Sequence, residues 1–370
     1  MRVSFLCENV NKKIAIVNHA VSSRSQLPIL LNFLFKAEKG KLTISATDLE
    51  IGTEAVLPAN IEEEGQTTVP AKTFFDLLSN INKGKVLLYT EGSGLHFKTD
   101  KINTIFQTIE AGEFPKLYEG KGDRIGVLTG DVLGRDLPSV VFSASQDAGR
   151  PALSGVLIGK QKDGKGFFMV ATDGYRLSLK KNKTSDSEST DGKFLIPARI
   201  IRELTLLRED GDVSIFISPK SNQVVFEQGD MVVVGRLIEA EFPNYQKIIP
   251  QDFSTKVIVD REELLSAVKT CSVFARETAN IIKFSLEKKG LVVSANAPSV
   301  GETAVSVDAS LEGEENEIAF NCRYVLDFLT NAQGEKIVFE MSGPLNPGVF
   351  KIEGDPSYLH IIMPIRVQGE

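Results

Sequence analysis

The chain has 370 residues, 42% of them hydrophobic and 25% charged, the balance of a soluble globular protein, and its length calls for two or three cores rather than one. No apolar run approaches the roughly 20 residues of a membrane span, and Met1-Arg2-Val3-Ser4-Phe5 opens no secretory signal, so a cytoplasmic protein with no membrane partner is expected. A net charge of −7 excludes a uniformly basic nucleic-acid binder; positive charge aimed at phosphates would have to be confined to one surface.

The elements fall into three copies of one unit. An opening helix is expected over Asn9–Val21, and another over Asp260–Val273, where Asp260 and Glu263 have capping-box spacing. The matching stretch of the middle copy holds Gly134 and Pro138, so its helix is expected to be short or bent. A β-like run follows in each copy: Leu42–Ser45, Phe167–Val170 and Leu291–Ser294. The first two lead into Thr47-Asp48 and Thr172-Asp173, and Ala295-Asn296 is a weaker third copy.

A second landmark lies about 23 residues on: Val69-Pro70-Ala71-Lys72, Ile196-Pro197-Ala198-Arg199 and Phe320-Asn321-Cys322-Arg323. Proline and asparagine both mark helix starts, and apolar residues then recur at helical spacing. Phe74, Leu78 and Ile81 do so first, then Ile200, Leu204 and Leu207, then Val325, Phe328 and Leu329. Glu113-Phe114-Pro115, Glu241-Phe242-Pro243 and the terminal Met363-Pro364 close the copies. Three similar domains are therefore expected at 1–122, 123–250 and 251–370, an α+β chain with two helices packed on β-sheet in each. The polar stretch Lys181–Lys193 reads as an exposed loop.

Lys72, Arg199 and Arg323 fill one equivalent slot. A basic residue near a helix N-terminus is mildly unfavourable against the macrodipole, so three of them in an acidic chain point to a DNA-facing surface. Arg24 and Arg150 form a second equivalent pair, each three residues before a leucine, and Arg202 is counted with this DNA-binding group. The plain alternative is ordinary surface charge.

Ala171-Thr172-Asp173-Gly174-Tyr175-Arg176-Leu177, Phe242-Pro243-Asn244-Tyr245 and Ile361-Ile362-Met363-Pro364-Ile365-Arg366, set within this threefold repeat, resemble the bacterial DNA sliding clamps, the β subunit of DNA polymerase III. The resemblance covers the whole chain. It implies three DNA-clamp domains, a head-to-tail homodimer forming a six-domain ring, and helices facing double-stranded DNA. The implied role is non-catalytic: to tether the replicative polymerase and repair proteins to DNA, after loading by a clamp loader. It also implies a hydrophobic pocket for short partner peptides, carried over onto Leu153, Thr172, Gly174, Tyr175, Arg176, Leu177, Pro243, Lys247, Ile248, Asn321, Tyr324, Ile361, Met363, Pro364, Ile365 and Arg366. Thr and Arg there are expected to orient peptide carbonyls. Read without the resemblance, Leu153, Leu177 and Ile361 are simply core. At the subunit boundary the resemblance sets Phe106 of one chain against Val273 and Phe274 of the other. Two departures stand out: Lys247 occupies a position where the family often has arginine, and Val367–Glu370 extends past the usual end, beside the pocket.

An enzyme is the rival in kind. Gly159–Gly166 fits a Walker A pattern until Gly166 replaces the magnesium-binding hydroxyl, and a β run follows it, so a hairpin turn is expected. Asp48 and Asp173 are explained by Asx-type turns without catalysis. Cys7, Cys271 and Cys322, like the three histidines, are scattered, so neither metal nor cofactor is called for. The second rival is a peptide-binding scaffold without DNA, against which the basic slot argues.

Overall fold

The computed structural model describes residues 1–162, 166–183, 192–207, 211–218 and 220–366. It holds two helices per expected domain: α1 (Asn11–Asn18) and α2 (Ala71–Ser79), α3 (Leu137–Val141) and α4 (Ala198–Leu204), α5 (Arg261–Ala275) and α6 (Cys322–Asn331). Pro70 and Pro197 end a strand immediately before α2 and α4 rather than sitting inside the helix. Asp260 and Asn321 cap α5 and α6, their carboxylate and amide oxygens accepting from Glu263 N at 2.9 Å and Arg323 N at 3.0 Å. α3 is short, with Pro138 in its first turn after an irregular turn over Val132–Asp136, as the glycine and proline there require.

Contacts divide the chain into two compact units, Met1–Leu133 with Arg199–Leu237, and Gly134–Ala198 with Ile238–Glu370. The cuts fall inside the expected middle domain because hydrogen-bonded ladders run across the expected boundaries. In the first unit an eight-stranded sheet joins Ile51–Pro58 antiparallel to Met231–Arg236, with Ile51 opposite Gly235. In the second a nine-stranded sheet joins Arg176–Lys183 to Asp355–Ile362, with Leu177 opposite Ile361. A five-stranded sheet in the first unit ends on Asn103–Gln107, and a four-stranded sheet in the second ends on Gly301–Val307.

Each helix pair buries its apolar stripe against sheet. On α6, Val325, Phe328 and Leu329 are fully buried, and Phe328 packs on Phe350 with ring centroids 5.2 Å apart. Burial of each such side chain contributes about 2–3 kcal/mol, which is what holds a ten-residue helix in place. Cys7, Cys271 and Cys322 are buried free thiols, and burial, with Cys322 as a second cause, pushes Cys271 up to about 11.

In the third copy the strand Gly290–Ala297 continues through Asn296, so the turn at Asp48 and Asp173 has no counterpart at that residue. One expectation needs correction. The stretch Lys181–Lys193 is not wholly loop: Arg176–Lys183 and Lys193–Pro197 are strands, and 184–191 lies outside the described residues. The Gly159–Gly166 run is a hairpin, Gln161 N donating to Gly166 O at 2.8 Å, with 163–165 outside the described residues. The tail Val367–Glu370 also lies outside them.

Candidate functional site

The chain reverses direction after strand Gly166–Thr172 and returns as Arg176–Lys183, and the sequence Thr-Asp-Gly supplies the turn chemistry. Thr172 Oγ1 donates to Arg176 O at 2.6 Å and accepts from Gly174 N at 3.0 Å. Asp173 Oδ1 accepts from Tyr175 N at 2.9 Å and Arg176 N at 3.0 Å. Gly174 sits at φ +93°, a conformation a side chain disfavours, and its Cα faces Leu153 and Arg150.

Arg176 is the hub of this turn. Its Nε donates to Asp173 at 3.0 Å, Nη1 to Asp327 at 2.6 Å and Nη2 to Phe142 O at 3.0 Å. The guanidinium also lies over the rings of Tyr324 at 4.7 Å and Phe142 at 5.3 Å. These contacts leave the side chain 10% exposed. Arg176 and Thr172, expected to orient a bound peptide's carbonyls, both direct their polar groups into the turn in this structure, and Thr172 is buried.

What the turn presents instead is Tyr175, 56% exposed and stacked on Tyr324 with centroids 6.4 Å apart. Burial, reinforced by the charge of Asp173, holds the Tyr324 hydroxyl above the usual phenol range. The neighbouring terminal strand is pinned by Met363 N donating to Tyr175 O and Ile365 N to Ala319 O, both at 2.8 Å. Met363 is exposed, Pro364 and Ile365 are half-buried, and Arg366 is exposed. The linking segment is anchored from below, Phe242 and Tyr245 packing on the buried cluster that contains Phe168, Leu177 and Ile361. That anchorage leaves Pro243, Lys247 and Ile248 outward.

Tyr175 and Met363, joined by that backbone bond, and Ile248 on the linking segment are exposed apolar side chains, while Leu177 and Ile361, paired across the strands, are buried. Asn321, named with this group from the sequence, serves α6 as its cap. Arg150 sits here too, its Nη1 donating to Asp173 O at 3.0 Å and its Nε to Asp147 at 2.9 Å. The sequence groups Arg150 with Arg24 as DNA-binding; here its guanidinium is tied to the turn beside Leu153 while staying 44% exposed.

Lys72, Arg199 and Arg323 occupy the second residue of α2, α4 and α6, and all three are exposed, as are Arg24 and Arg202. Arg199 differs from the other two: its Nη1 pairs closely with Asp48, and its Nη2 donates to His19 O at 3.3 Å.

Phe106 is 5% exposed and packs inside its own domain against Phe74 at 5.6 Å and Phe97 at 6.5 Å. Its neighbour Ile105, on the opposite face of the same edge strand, is 57% exposed. On α5, Val273 is 60% exposed and Phe274 is half-buried. Sequence reasoning missed Ile105; adjacent apolar residues on a strand, one for each face, are the signal that finds it. Among the described residues no group of His, Cys, Asp and Glu is arranged to hold a metal ion, and no helix is long and apolar enough to cross a membrane.

Three family models, for the N-terminal, central and C-terminal domains of the DNA polymerase III beta subunit, match residues 1–118, 127–244 and 246–366. A beta sliding clamp of Synechococcus elongatus is 30% identical over 368 residues, covering 97% of this chain and 98% of the relative. The DNA polymerase III beta subunit of Thermotoga maritima aligns at TM-score 0.91 and 28% identity over 99% of each chain. A sliding clamp from Pseudomonas aeruginosa bound to griselimycin aligns at TM-score 0.93 and 26% identity, covering 99% of this chain and 100% of the other.

Proposed function

The chain belongs to the DNA polymerase III beta subunit family, the beta sliding clamps, and we propose that two copies close head to tail into a ring around duplex DNA. Its function is that of a non-catalytic processivity clamp built from three clamp domains. In the proposed ring the domains are 1–122, 123–250 and 251–370, and Lys72, Arg199 and Arg323, with Arg24 and Arg202, face the DNA. The observation that carries this reading is the shared place of those three basic residues at the start of the second helix of each domain. A ring holds DNA by encircling it, so these contacts serve best when weak and screened. The net charge of −7 is compatible with that, because few phosphates are neutralised at once.

The proposed subunit boundary pairs the edge strand Asn103–Gln107 of one chain with Gly301–Val307 of the other. Unpaired edges and exposed Ile105 and Val273 supply what a lasting interface buries. Phe106 and Phe274 support those residues from within. The surface around Tyr175, Ile248 and Met363, with Arg150 beside it, receives apolar peptide segments of the polymerase, clamp loader and repair proteins in the cytoplasm. By likeness to the griselimycin-bound clamp, griselimycin is a candidate ligand of this chain.

Retention on nicked circular DNA after loading by a clamp loader and ATP tests the ring. Protein that persists on circles in high salt but leaves once the DNA is linearised is the expected result. Equal, salt-sensitive loss from both forms, with loading confirmed at low salt, would refute encirclement.

A further inference from the structure

Beside the segment that carries Pro243 and Ile248 lies a cavity of about 420 Å³ lined by Lys160, Lys162, Lys181 and Lys193, with Phe168 and Tyr245 as its apolar wall. No carboxylate is among the described residues lining it. Among the described residues that line it, four lysines come from three strands and one hairpin turn onto one concavity, in a chain of net charge −7. The concavity is built into the sheet. Gln161, between two of the lysines, donates to Asn182 O at 2.8 Å and Phe167 O at 3.2 Å, which ties the hairpin to the strand bearing Lys181. Gly159 lets two of the lining side chains approach: a Cβ there would lie 2.9 Å from the Phe168 ring and 3.0 Å from the Lys193 stem. Tyr245 rests on Phe168 with centroids 6.0 Å apart.

We propose that this lysine pocket takes the carboxylates of an acidic stretch flanking the apolar anchor of the partner peptides. The proposal rests on the peptide-binding reading of the Tyr175–Met363 surface and extends it. Two observations join the sites. Tyr245 and Gln246 wall the pocket, and the next two residues, Lys247 and Ile248, are exposed. On strand Arg176–Lys183, Leu177, Leu179 and Lys181 alternate onto one face. Leu177 underlies the apolar surface and Lys181 lines the pocket, four residues or about 13 Å apart along the strand. An extended chain crossing Tyr245–Lys247 spans that distance in about five residues. Carboxylates complement the lysines; a compact pocket that continues the peptide surface favours a peptide over a length of nucleic acid.

The test uses the full chain and two synthetic peptides that share one apolar anchor, one followed by a run of glutamates and its twin by glutamines. The wild-type chain is expected to bind the acidic peptide about tenfold more tightly at low salt, the gap closing near 0.5 M salt. The combined Lys162→Gln, Lys181→Gln and Lys193→Gln variant, altered only at exposed positions, is expected to bind both peptides as the wild type binds the neutral one. A neutral peptide that binds the wild type as well as its acidic twin overturns the proposal and leaves the apolar surface standing. So does a variant that keeps the acidic preference. If the wild type binds neither peptide, the apolar surface itself falls and the pocket's role with it. Lysine-dependent binding of single-stranded oligothymidylate, with no flank preference, would assign the pocket to nucleic acid and refute the peptide reading.

Discussion

Arg176→Ala separates a residue that builds the turn from one that grips the peptide. The guanidinium pairs with Asp173, whose side chain is 13% exposed, and with Asp327, 49% exposed. A hydrogen bond between buried charged partners contributes about 1.5–3 kcal/mol, and a half-exposed pair about 0.2–1 kcal/mol. The bond to Phe142 O and the two ring faces add about 1–2 kcal/mol more. Truncation should therefore cost about 4 kcal/mol locally, close to a thousandfold in the opening equilibrium of the turn. A multi-domain chain need not unfold in one step, so amide hydrogen exchange is the suitable assay. The Tyr175, Arg176 and Met363 amides, all bonded within or onto this turn, should lose protection together. Arg176→Lys should fall between, retaining charge near Asp173 but losing the planar fork. Unchanged protection in Arg176→Ala with weakened peptide binding would refute this account and restore the direct peptide contact read from the sequence.

Four other outcomes follow from particular residues. His360 is fully buried, its Nδ1 within 2.8 Å of Ser178 Oγ and its ring stacked on Phe328, and burial, with Arg176 as a second cause, holds it well below the usual imidazole range. The unfolded chain binds a proton near pH 6.5 that the folded chain refuses, so stability is full above that pH. It should fall below it by up to about 1.4 kcal/mol per pH unit, a slope His360→Gln removes; parallel denaturation profiles for the two proteins would count against it. Ile105→Glu or Val273→Glu should shift the chain to monomer in sedimentation equilibrium with little change in melting. Phe106→Ala should lower melting by emptying a buried aromatic site, a loss of about 3–5 kcal/mol. Asp48→Asn should release Arg199 and steepen the salt dependence of DNA binding by about one phosphate contact, whereas an unchanged slope would mean Arg199 does not face DNA.

The threefold repeat, the helix starts and the short middle helix were legible because each depends on local chemistry: caps, prolines and apolar spacing. Asp48 and Asp173 were legible as turn formers for the same reason, each carboxylate accepting from two amides just downstream. Asn296, the weaker third copy, stays inside a strand because strand length is set by pairing with a neighbour, here Gly301–Val307, and not by the residue itself. The division of contacts between two units was hidden for a related reason: sheets that cross domain boundaries are fixed by partners far away in sequence. Repeat position fixes where the backbone of Arg150 lies, while the nearest carboxylate and carbonyl, Asp147 and Asp173, decide where its guanidinium goes.

The same turn occurs in both units, yet it leads to different surfaces. Thr47 Oγ1 donates to Ile51 O at 2.8 Å and accepts from Leu49 N at 3.0 Å, the pattern of Thr172 bond for bond. Arg236 N donates to Glu50 O where Met363 N donates to Tyr175 O. By register, Gly52 stands where Leu177 stands and Glu50 where Tyr175 stands. Leu117 closes over Gly52, 2.8 Å from where a Cβ would be, and fills the space of the missing side chain from above. The first turn thus offers a carboxylate and an occupied floor, and the second offers an exposed tyrosine over an aliphatic floor. Backbone chemistry explains why the turn recurs; the side chains set on it, Leu49 and Glu50 in the first and Tyr175 over Leu177 in the second, explain why the two surfaces differ.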